Sequence, residues 1–74
     1  MDRQHVIGRL CIGGDWACAH GDFAALRAIA QRLADQVSEP LHCELVALAE
    51  ACRGDLDRAT VMWERLKDCV YQTA

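Results

Sequence analysis

Apolar residues recur at helical spacing in four stretches of the chain. The first, from about Arg3 to Ala19, sets Val6, Leu10, Gly14 and Cys18 on one stripe with Ile7 and Cys11 beside it. The second, Phe23 to about Val37, carries Phe23, Leu26, Ala30, Leu33 and Val37. The third, Leu41 to about Cys52, aligns Leu41, Leu45, Leu48 and Cys52 with Val46 alongside, and the fourth, Leu56 to about Tyr71, aligns Leu56, Ala59, Trp63, Leu66 and Val70. Boundary signals agree with these stretches. Gly21 and Gly54 supply turn residues, and Asp22 and Asp55 supply carboxylates that can accept from backbone N–H groups of the following turn. Pro40 fits the first position of the third helix, where its missing N–H costs no hydrogen bond. The weak point is Gly13-Gly14-Asp15, because each glycine inside a helix costs about 1 kcal/mol relative to alanine. A glycine at a helix crossing also lets a second helix approach closely, and the stretch is read as one unbroken helix.

Sliding the chain against itself by 33 residues places Gly21-Asp22-Phe23 on Gly54-Asp55-Leu56, Arg32-Leu33 on Arg65-Leu66, Asp35 on Asp68 and Val37 on Val70. A period of this size is the signature of helical repeats, in which each hairpin buries its apolar face on a neighbour. The expected fold is therefore all-α, with two antiparallel helical hairpins, about 3–37 and about 41–71, in a single domain spanning residues 1–74.

Those residues resemble tetratricopeptide repeats, helix-turn-helix units of about 34 residues. The family places a small residue midway along its first helix, a Gly-Asp-like turn, and then a small and a large apolar residue in its second helix. Ala47, Gly54, Ala59 and Trp63 follow that order, with Leu66 after them. In the first unit Gly14 and Gly21 match, whereas Leu26 stands where the family has a small residue and Ala30 where it has a large one. The run from Leu41-His42-Cys43-Glu44-Leu45 through Leu66 is also similar to the small repeat-like chaperones of bacterial type III secretion systems. The resemblance implies a chaperone that binds needle-forming subunits and keeps them from polymerising in the cytoplasm.

Composition narrows the classes further. With 74 residues the chain is too short for a Rossmann or barrel enzyme, and an apolar fraction of 53% argues against disorder. Eleven acidic against eight basic residues give a net charge of −3 without a basic cluster, so no nucleic-acid partner is expected. No apolar run approaches the roughly 18 residues of a membrane span, and the N-terminal residues do not read as a signal peptide, so a soluble cytoplasmic protein is expected. Cys11, Cys18, Cys43, Cys52 and Cys69 are odd in number and mostly lie in helical stretches, which reads as reduced thiols acting as small hydrophobes.

Candidate chemistry is sparse. Zinc needs four N or S ligands in closely spaced pairs, and neither C-x-x-C nor H-x-x-x-H occurs. Cys18, His20 and Cys52 fall at one end of the expected hairpins and His42 and Cys43 at the other, so they read as ordinary cysteines and surface histidines. No nucleophile–base arrangement, phosphate loop or carboxylate pair is recognisable, so neither enzyme activity nor a cofactor is expected.

The function this pattern suggests is a non-enzymatic protein-binding module or small chaperone that holds an amphipathic helix of another protein. A self-associating homodimer is the alternative, and a metal-dependent regulator a remote one. In an open stack the last helix lacks a neighbour on one side, so Met62, Trp63, Leu66 and Val70 are expected to present an apolar band to the partner, beside Cys69. Leu41, Leu45 and Leu48 form the second candidate surface, while Trp63 also suits a core position and Trp16 is assigned to neither core nor interface, since its place depends on the helix around Gly13-Gly14.

Overall fold

A computed structural model describes residues 2–73. The elements are α1 (Arg3–Ala19), α2 (Phe23–Ala34), α3 (Leu41–Ala51) and α4 (Leu56–Thr73), with no strand among the described residues. The class is all-α. Every helix starts at the residue its pattern predicts, and α1 runs unbroken through Gly13 and Gly14.

Local chemistry fixes the ends. Asp2, Asp22 and Asp55 each accept from a backbone N–H of the following turn, at Gln4, Ala25 and Arg58 respectively. After α1 the chain makes a Schellman turn: Asp22 N–H donates to the Ala17 carbonyl at 2.8 Å and Gly21 N–H to that of Cys18 at 3.2 Å, with Gly21 at φ +68°. The second Gly-Asp turn is built differently. Gly54 does not enter the left-handed region, and Arg53 and Gly54 instead donate to the carbonyls of Glu50 and Ala51. Pro40 sits at the N-cap of α3, one place before the position expected. Helix α2 stops at Ala34, short of Val37, and side chains take the carbonyl of its last residue and one just beyond it. His42 Nδ1–H donates to the Ala34 carbonyl at 2.7 Å, and the Arg3 guanidinium donates to that of Gln36. His42 is thus a half-buried capping residue rather than the surface histidine expected.

Neighbouring helices run antiparallel, as pairs from opposite ends reveal. Arg3 meets Gln36 across α1 and the end of α2, Ala34 meets His42 across α2 and α3, and Glu44 meets Arg65 across α3 and α4. Helix α4 then packs against α1 and closes the ring. The expected uncovered side of α4 is therefore occupied within the chain.

One contact makes that closure possible. The indole of Trp63 is fully buried and lies on the backbone of α1 at Gly14, so close that a Cβ there would stand 2.3 Å from Trp63 Cζ2. The indole Nε1–H donates to Asp15 Oδ1 at 2.8 Å, and Lys67 Nζ reaches the same oxygen at 3.2 Å and Glu64 at 3.1 Å. Glycine removes the obstruction, the indole fills the space, and the adjacent carboxylate satisfies the one polar atom the ring carries into the interior. Around it Ile7, Cys11, Leu26, Leu33, Leu45, Leu48, Leu66 and Val70 form one core, each at most 1% exposed.

The glycines are therefore not equivalent. Gly14→Ala is expected to lose about 1–3 kcal/mol to overpacking, outweighing its helix-propensity gain. Gly8→Ala, with open space around the new methyl, is expected to gain up to about 1 kcal/mol. At the turns, Gly21→Ala should cost about 1–2 kcal/mol and Gly54→Ala close to nothing. Urea denaturation of the four variants measures all of these, and equal effects at Gly8 and Gly14 would contradict the packing described.

Candidate protein-binding surface

The seven residues assigned to partner binding from the sequence, Leu41, Leu45, Leu48, Met62, Trp63, Leu66 and Val70, are all at most 8% exposed. They are core residues of this chain, so none of them offers an accessible anchor. The reason is the closure by α1: the side of α4 that an open stack leaves bare carries Trp63, and Gly14 receives it. Leu41, Leu45 and Leu48 belong to the same core. Of the expected band only Cys69 is exposed.

The apolar residues that do face solvent lie elsewhere. Ile12, Trp16, Val46, Leu56, Val61 and Tyr71 are the large exposed ones among the described residues. Two of them form a pair on one helix: Ile12 at 66% and Trp16 at 56% stand four residues apart, one above the other on the outward side of α1. The Trp16 ring is held in place. His20 stacks on it with ring centroids 4.2 Å apart and planes 22° from parallel, and His20 Nδ1–H donates to the Trp16 carbonyl at 2.8 Å. A rigid, amphipathic ring that loses little freedom on contact is a common anchor at interfaces.

A signal for this face exists in the sequence. Helix α1 carries Ile7 and Cys11 inward, Val6 and Leu10 toward α2, and Ile12 and Trp16 outward, so apolar residues go round the helix rather than along one stripe. A helix that packs on only two neighbours has no intramolecular use for the third set.

The polar chemistry is structural. Among the described residues no group of three His, Cys, Asp or Glu side chains is placed to hold a metal ion. Cys11 lies wholly in the core, where burial first and the Asp15 carboxylate second push its pKa from 9.0 to about 11, with Lys67 opposing. Burial also raises the thiols of Cys18 and Cys52, and a hydrogen bond to the Glu39 carboxylate raises that of Cys43. None is an activated thiolate. No helix among the described residues is long and apolar enough to cross a membrane. Comparison with protein-family models, with curated proteins and with solved structures finds no match.

The buried thiol sets an alkaline limit. A group whose pKa is raised on folding stabilises the fold fully below its unfolded pKa and loses that contribution as pH rises through the folded one. The Cys11 contribution is therefore complete below about pH 9 and lost toward pH 11, up to about 2–3 kcal/mol. Denaturation midpoints followed from neutral pH to pH 11 should fall less steeply in Cys11→Ala than in the unaltered chain, and parallel curves would remove Cys11 as the cause.

Proposed function

We propose that this domain is a non-enzymatic protein-binding module, or a small chaperone, that holds an amphipathic helix of a partner protein along the outward face of α1. The observation that carries the reading is the Ile12–Trp16 pair, left in water on a helix whose inward face already fills a complete core. Scattered single apolar residues on a surface need no explanation, but an ordered tryptophan with an isoleucine one turn away, on a helix that already sends two other sets of apolar residues inward, is a surface that contact with another helix would cover. An incoming helix with apolar residues at i, i+3, i+4 and i+7 matches the spacing. The sequence resemblance to repeat-like secretion chaperones supports the same class of function and suggests a helix-forming needle subunit as the partner.

Ile12→Asp with Trp16→Asp tests this, since both side chains are outside the core and circular dichroism should stay helical. A model amphipathic peptide with leucines at i, i+3, i+4 and i+7 is titrated against both proteins by calorimetry. The double variant is expected to bind at least about thirtyfold more weakly, roughly 2 kcal/mol. Unchanged affinity would place the interface elsewhere. Concentration-dependent dimerisation of the unaltered chain, abolished in the double variant, would favour the homodimer.

A further inference from the structure

We infer that the helix bound on α1 is acidic, because the cleft beside the Ile12–Trp16 face is equipped to receive carboxylates. The inference rests on the binding reading above and adds the chemistry of the ligand.

The cleft, of about 540 Å³, opens between the first half of α1 and the last turns of α2, and is lined by Val6, Leu10, Arg9, Arg32, Asp35 and Gln36. Val6 and Leu10 are half-buried and supply its apolar lining. The charged groups around it are in different states. Arg3 is engaged with the Gln36 carbonyl. Arg9 and Arg32 make neither an ion pair nor a hydrogen bond among the described residues, although the other half of the bundle pairs Arg53 with Glu50, Arg65 with Glu44, and Lys67 with Asp15 and Glu64. Asp35 lines the same cleft and forms no ion pair with either arginine among the described residues. A chain with net charge −3 thus keeps two unengaged guanidinium groups against one carboxylate at a cleft that is part apolar and part polar.

Register joins this cleft to the binding face. Arg9 precedes Ile12 by three residues and Trp16 by seven, so all three lie on one side of α1. A helix resting its apolar stripe on Ile12 and Trp16 would bring its flank over Arg9 and across the cleft to Arg32. The planar forks of those two groups match carboxylates, which accept two parallel N–H bonds from one guanidinium. A small phosphate would leave Val6 and Leu10 uncovered, and a nucleic-acid backbone calls for a longer basic track than two arginines on an acidic chain. An amphipathic segment with glutamates or aspartates flanking its apolar stripe satisfies the apolar and the charged parts together.

The test uses three versions of one model amphipathic peptide that share the leucine stripe and differ only in flanking residues, Glu, Gln or Lys. Binding to the full chain is measured by calorimetry at low and high salt, and the contact is mapped by amide NMR shifts. The Glu peptide is expected to bind at least about tenfold more tightly than the Lys peptide, to lose that advantage at high salt, and to shift residues 6–16 and 29–36. Arg9→Glu with Arg32→Glu should reverse the preference between the Glu and Lys peptides. Equal affinity for all three peptides, lost on Trp16→Asp, would overturn the acidic ligand while leaving the α1 face in place. If no peptide shifts the α1 resonances, the binding reading itself fails. Displacement of the Glu peptide by inorganic phosphate or an oligonucleotide would assign the arginines to phosphate, and a dimer formed through this cleft would make a second copy the occupant; either overturns the proposal.

Discussion

The fold depends on a tryptophan that can be buried only where a helix lacks a side chain. Trp63 brings an indole against the backbone of α1, and Gly14 is the residue that lets it in. Asp15 then accepts the indole N–H, which would otherwise be an unsatisfied donor in an apolar interior. Size, access and hydrogen bonding are met by three residues, two of them adjacent. They sit where α4 packs on α1 and closes the ring of four helices.

Closure decides where function can lie. It draws Met62, Leu66 and Val70 into the same core as Leu41, Leu45 and Leu48, so the residues with the strongest helical apolar pattern are used up inside the molecule. What remains at the surface is the surplus on α1: an exposed aromatic ring backed by His20, an isoleucine one turn before it, and arginines that no carboxylate among the described residues engages. A domain of this size buries only about 60% of the surface its unfolded chain exposes, so covering an apolar face with another helix also adds stability that its own core supplies sparingly.

The four helices were legible because their signals are local. The apolar periodicity of α2 and α4 and the capping aspartates act within one or two turns, and the aspartates at 22 and 55 each accept the bond their spacing predicts. The two Gly-Asp turns look alike as letters yet differ as conformations, since only Gly21 has a Schellman turn to complete. The carbonyl at the end of α2 and that of Gln36 just after it take donors from His42 and Arg3, one in the next helix and one far before, and neither is visible in the sequence of α2. The burial of the apolar band expected at the surface of α4 was not legible for the same reason on a larger scale. Trp63 and Asp15 are 48 residues apart, and no periodicity within α4 tells that Gly14 stands opposite. The close-approach use expected of a glycine at a helix crossing is the one Gly14 serves, but its partner, Trp63, is not visible from α1 alone.

The two indoles give the most direct measurement of this account. In an NMR spectrum of the chain, the Nε1–H of Trp63 should exchange slowly with solvent and its ring protons should show nuclear Overhauser contacts to Gly14 Hα, while the Trp16 Nε1–H exchanges rapidly. A Trp63 indole that exchanges as fast as that of Trp16 and shows no contact to Gly14 would mean that α4 does not close on α1, and the buried assignment of its apolar band would fall with it.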